Sequence, residues 1–121
     1  MAPRSQFAAL VEELLQPVGP VEVRAMFGGH GVFLDGVMFG LIADDELYLK
    51  VDDGNRDRFA AAGLAAFVYQ ADGRSITMSY HRAPDVLEDW ERFEPWVTGA
   101  IDASRRAGKT VAPKRRDRRR G

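Results

Sequence analysis

The sequence predicts an α+β fold in two layers, an antiparallel sheet of about five to six strands covered on one face by helices, and three observations predict it. Short segments that alternate apolar and polar residues follow one another closely enough to be joined by hairpins. Turn-forming pairs fall between them, at Asp35-Gly36, at Asp44-Asp45 and in ADGR. Longer segments with helical spacing flank and interrupt the strands, which gives the order α-β-β-β-β-α-β-β-α.

Taken in order, SQFAALVEELLQ places Phe7, Leu10, Val11, Leu14 and Leu15 on one helical face with Glu12 and Glu13 opposite, and Pro17, Gly19 and Pro20 end it. VEVRAM, with Val21 and Val23, reads as the first strand. The run GVFLDGVMFGLIADDELYLKV supplies three more, because Asp-Gly tolerates the positive φ of a type I′ turn and Leu47, Leu49 and Val51 alternate with Tyr48 and Lys50. DDGNRDRFAAAGL reads as a short helix started by Asp52 or Asp53 and closed by Gly63. FVYQ and SITMSYH form the last hairpin, with Ile76, Met78 and Tyr80 on one face. Trp90, Phe93, Val97, Ala100, Ile101 and Ser104 then keep helical spacing, with Pro95 implying a kink or a helix that begins shortly before it. Met26, Phe27 and Phe59 are further expected core residues.

The 121 residues suit one domain, and their 45% hydrophobic and 29% charged fractions fit a globular chain. The chain has no cysteine, which excludes disulfides, thiolate catalysis and sulfur-ligated zinc. No apolar h-region opens the sequence and no apolar run approaches the length of a membrane span, so a cytoplasmic location and no membrane partner are expected. The net charge of −1 conceals a division, since the last thirteen residues hold seven Lys or Arg against one Asp. Residues 1–108 are therefore an acidic domain, and 109–121, which lack periodicity, are expected to be a disordered basic arm.

RAMFGGHGVF, residues 24–33, raises the question of a ligand loop. Phosphate-cradling glycines lie between a strand and a helix, whereas these precede a strand, and GGHG has neither the Rossmann nor the P-loop spacing. A bend between strands is the expected role. His30 and His81 are the only histidines, with no spacing that preorganises a metal site, and Ser5, Ser75, Ser79 and Ser104 lack a nucleophile context. Turns and helix starts account for the paired acids. No catalytic residue, metal or cofactor is expected.

RAMFGGHGVF, GVMFGLIADDELYLKVDDGNRDRF and ITMSYHRAPDVLED together make the chain similar to the N-terminal domain of the TfoX (Sxy) family of bacterial competence regulators, over roughly residues 5–107. Arg24, Met26, Phe27, Gly28, Gly29 and Gly31 match the first block, Tyr48, Lys50, Asp52, Asn55 and Phe59 the second, and Met78, Ser79, Tyr80 and Pro84 the third. The resemblance implies an α+β fold, often dimeric, and a role in transcription alongside the cyclic-AMP receptor protein, with no catalytic residue and no cofactor. Full-length members carry a helical C-terminal domain where this chain has the basic arm, so a short form is expected.

Among the matched residues Arg24, Tyr48, Lys50 and Tyr80 each join a polar tip to a strand and form the candidate interaction surface. Lys114, Arg115, Arg116, Arg118, Arg119 and Arg120 are the candidate nucleic-acid contacts, able to hold phosphates without sequence preference. The expected protein is a non-enzymatic regulatory module that works by protein contact, with transcription machinery or a DNA-bound regulator as partner. The arm would add nonspecific nucleic-acid affinity, and the uncovered sheet face is a natural homodimer surface. The rival readings are a dimeric interaction domain unrelated to nucleic acid, and a small-molecule binder or enzyme near His30.

Overall fold

Three of the hairpins turn on residues held in left-handed backbone: Asp35 and Gly36 (φ 55° and 79°), Asp44 and Asp45 (52° and 58°), and Asp72 and Gly73 (53° and 74°). Positive φ at both central positions defines the type I′ turn, whose twist matches that of the strands it joins. In the computed structural model, which describes residues 5–26 and 28–120 with side chains as far as Gly108, these turns organise a six-stranded sheet. Its strands are β1 (Val21–Met26), β2 (Gly29–Leu34), β3 (Val37–Ala43), β4 (Glu46–Lys50), β5 (Ala66–Ala71) and β6 (Arg74–Arg82). All pairings are antiparallel, in the order β1-β2-β3-β4-β6-β5.

The first four strands form a meander in sequence order, as the turn signals predict. The chain then crosses through helix α2 (Arg56–Ala61), lays β5 at the far edge and returns as β6 against β4, with Leu49 opposite His81 and Lys50 opposite Tyr80. Helix α1 (Gln6–Leu14) begins where the Ser5 hydroxyl accepts the Ala8 N–H at 3.0 Å, satisfying one of the free donors of the first turn. It sends Ala8 and Val11 into the core, and Leu15 follows at its C-cap.

Helix α3 starts at Trp90 and buries Phe93, Val97, Ala100, Ile101 and Ser104, the face its spacing predicts, while Trp90 packs half-buried at the margin. Ser104, the one buried polar residue among those described, returns its hydroxyl proton to the Ile101 carbonyl at 2.7 Å. Pro95 lies inside this helix, so the helix begins shortly before it. The helix runs to Arg120, across the positions where the sequence pattern predicts a disordered arm; side chains beyond Gly108, and with them the arm's candidate contacts, lie outside the described residues, as does Phe27.

The core lies between these helices and one sheet face. Val21, Val23, Val32, Leu34, Ile42, Leu47 and Leu49 supply the strands' share, with Phe39, Phe59 and Phe93 fully buried. Each such ring contributes on the order of 2–3 kcal/mol of transfer free energy.

One local expectation is corrected. Neither Asp52 nor Asp53 caps α2; Asn55 holds the N-cap position, without a side-chain capping bond. The Asp52 carboxylate instead accepts the Gly54 N–H at 2.8 Å and receives both Arg106 Nε and an Arg106 terminal nitrogen, at 2.6 and 2.7 Å. A bidentate guanidinium outcompetes a single backbone donor for a carboxylate. The loop is closed by Asn55, whose Oδ1 accepts the Asp52 N–H and whose Nδ2 donates to the Lys50 carbonyl. Gly63 (φ 71°) ends α2 as the sequence predicts.

Candidate interaction surface

Side chains alternate across a strand, so the residues not sent to the helices face the other way. Register then groups them. Arg24 pairs with Gly31, Gly31 with Leu41, Leu41 with Tyr48 and Tyr48 with Arg82, a row running across five strands on the face the helices leave open. Phe33 lies opposite Met38 in the neighbouring row.

This face is a trough. Met26 at one end of the strand order and Phe67 and Tyr69 at the other line a single concavity of about 570 Å³, with Met38, Leu41, Met78 and Tyr80 between them. Such volume and lining are typical of binding sites. Met26, Met38 and Met78 are all the methionines after the first residue, and every one faces this concavity. Unbranched thioethers adapt to irregular partners, which makes methionine-rich surfaces versatile binders. Gly31 shapes the floor: a Cβ there would meet the Met26 sulfur at 2.6 Å and the Phe33 ring at 2.7 Å, so its absence lets both side chains fold over the strand.

The four sequence-picked residues occupy this face by register, in different states. Tyr80 is 8% exposed and lines the trough; burial pushes its phenol above the usual range. Tyr48 packs edge-on against Phe67, centroids 4.9 Å apart. Lys50 donates to the Ser79 hydroxyl at 2.6 Å and lies 5.1 Å from the Tyr80 ring centre; burial lowers its pKa, partly opposed by Asp52. Arg24 is exposed, 4.4 Å over the Phe33 ring and 2.9 Å from Glu22. Another ion pair, Arg82 to Glu46 at 3.1 Å, borders β4 and β6. Charge therefore rims an apolar floor.

Sequence reasoning took Met26 for core filling and passed over Met38, Leu41, Phe67 and Tyr69. The signal was present. Strands whose helix-facing positions are already apolar also carry Met, Leu, Phe and Tyr at the alternate positions, which a solvated face does not need.

The two histidines stay apart. His81 on β6 holds its Nδ1 2.9 Å from the Leu64 carbonyl, which can only accept, so that nitrogen carries the proton. His30 lies on β2 at the trough margin. No three His, Asp or Glu side chains gather as metal ligands among the described residues. No helix among them is long and apolar enough to cross a membrane.

Fold and surface together define a small α+β domain with helices on one sheet face and an apolar trough on the other. The chain belongs to the TfoX N-terminal domain family, which matches residues 13–104. It is 29% identical over 76 residues to Protein Sxy of Escherichia coli K12, covering 63% of this chain and 36% of that protein. It is 28% identical over 74 residues to DNA transformation protein TfoX1 of Aliivibrio fischeri ES114, covering 61% and 35%. The chain thus spans about a third of the length of these curated relatives.

Proposed function

We propose that the chain is a non-enzymatic regulatory module of DNA transformation, acting by protein contact through the open-face trough. The observation that carries this is the trough itself: an adaptable, methionine-lined apolar concavity on the one sheet face without helices. Its shape suits the apolar stripe of a partner helix, laid across the strands with i, i+3, i+4 anchors. The charged rim of Arg24, Glu22, Arg82 and Glu46 would fix orientation and contribute more to association rate than to affinity. A relative named for DNA transformation supports the process, and family membership supports regulation over catalysis. The basic arm of Lys114, Arg115, Arg116, Arg118, Arg119 and Arg120 supplies nonspecific phosphate affinity, bringing the module to DNA while the domain selects its protein partner. Action at DNA also implies an intracellular location.

The test is a chromosomal Leu41→Asp allele, with purified protein checked for a cooperative melt, and uptake and integration of marker DNA as readout. Leu41 is half-buried on the trough floor, so a carboxylate there opposes docking without opening the helix-side core. The allele should behave as a deletion of the gene. Wild-type transformation in the deletion removes the process from the proposal. Wild-type transformation in the allele alone removes the trough.

A further inference from the structure

The sheet ends at two edge strands, β1 and β5, and they are built differently: along β1 the Val23 N–H donates to the Glu12 carboxylate at 3.0 Å and the Val21 carbonyl accepts from the Gln16 amide at 3.2 Å. β1 carries Glu22 and Arg24, the charged side chains that natural sheets use to blunt an edge. β5 reads AFVYQA, with no charge, no proline and three residues of high strand propensity. Of the four exposed large hydrophobic residues among those described, three lie on the β5–β6 hairpin: Val68, Tyr69 and Ile76, at 44%, 40% and 41% exposure.

Backbone geometry says which groups are free. Ala71 and Arg74 flank a two-residue type I′ turn and so exchange both backbone hydrogen bonds; Tyr69 and Ile76, two positions on, do the same. The peptide groups of Val68 and Gln70 therefore point away from β6, toward open edge.

We propose that β5 pairs antiparallel with β5 of a second copy of this chain, about a two-fold axis through Tyr69. Only even-numbered residues offer outward groups, so the register pairs Val68 with the partner's Gln70 and the partner's Val68 with Gln70, giving four hydrogen bonds. Tyr69 then stands opposite the partner's Tyr69 at a non-hydrogen-bonded site, where side chains come closest. About the two-fold axis only Tyr69 meets its own counterpart while its neighbours meet each other's, so the axial residue of a self-paired strand must carry no charge. The neutral β5 meets that condition, whereas the outward backbone groups of β1 at Val21 and Val23 are already held by Gln16 and Glu12. The tyrosine pair also continues the two troughs into one apolar surface, since Tyr69 lines the outer lip of each. The trough floor stays open, so this dimer does not depend on the trough's partner.

Sedimentation velocity over a concentration series tests this with the full chain, Tyr69→Glu, Tyr69→Lys and their equimolar mixture. The site is exposed, so both variants should fold, with unchanged circular dichroism. Wild type should be a dimer. Each variant alone should dimerise at least about 100-fold more weakly, because like charges face each other across the axis. The mixture should recover the dimer, because only opposite charges then meet. A monomeric wild type, a variant that dimerises as well as wild type, or a mixture no better than its components would each overturn the proposal. Loss of the dimer in Leu41→Asp with its retention in Tyr69→Glu would place the interface on the sheet face instead.

Discussion

Gly28 and Gly29 are adjacent and each is needed for a different reason, which substitution to alanine separates. Gly28 has φ 79° and nothing within 4 Å of where a Cβ would stand. Alanine there meets only backbone strain, about 1 kcal/mol, part of which is returned by the stiffer unfolded chain. Gly29 has ordinary φ, but its Cβ would overlap the carbonyl oxygen of Ile42 and sit 3.6 Å from the Ala43 Cα. Those atoms belong to β3, which is paired on both sides, so they cannot swing away as a side chain would. Overpacking against fixed backbone costs about 3 kcal/mol. For a chain of this size each kcal/mol moves the melting temperature by about 4 °C. Thermal melts followed by circular dichroism should therefore show Gly29→Ala about 12 °C below wild type and Gly28→Ala within about 4 °C of it. Gly28→Asn should be milder still, since asparagine visits this region readily. If Gly29→Ala melts with Gly28→Ala, the close approach of β2 to β3 is refuted, and the glycine run needs a reason other than the packing of strands.

At the Asp44-Asp45 turn, Asp45→Gly should raise stability by about 0.5 kcal/mol in urea titration, relief of left-handed strain outweighing the added freedom of the unfolded chain. The hydrogen bond from Arg106 holds the Asp52 carboxyl below the usual carboxylate range, helped by the Gly54 N–H and opposed by desolvation. A pKa lower in the folded state means stabilisation present above the unfolded value of about 3.9 and lost as pH falls through the folded one. Urea midpoints measured down the acid limb should therefore fall less steeply for Asp52→Asn than for wild type, and equal slopes would show that the pair contributes nothing to folding. Replacing Arg115, Arg116, Arg118, Arg119 and Arg120 with Gln should weaken binding to a labelled DNA duplex and flatten its dependence on log salt by about 0.9 for each phosphate the arm no longer neutralises, read by fluorescence anisotropy. An unchanged slope would leave the arm without a role on DNA.

The order of the elements was legible because it is written in local signals. Period-two and helical spacing, Pro17 and Gly19 after α1, Gly63 after α2 and the acid pair at the Asp44-Asp45 turn each act through φ, ψ and neighbouring side chains, within a few residues. Asp35-Gly36 needs no tertiary contact to prefer a type I′ turn. The α3 face from Phe93 to Ser104 is likewise fixed by spacing alone.

What tertiary structure decided is where those faces meet. Asp52 looked like a helix cap because its sequence neighbours do not include Arg106, 54 residues away. Tyr80 looked like an exposed polar tip, yet the curvature of the sheet buries it in the trough. That β6 enters between β4 and β5, and that Met26 and Tyr69 end up across one concavity from opposite sheet edges, follows from twist summed over six strands and from pairings between distant segments. Each such pairing is weak by itself and becomes specific only when the whole core is closed. For this protein the sequence by itself determined the strands, helices and turns; the surface they present was decided by packing, because it is made of residues that meet only after folding.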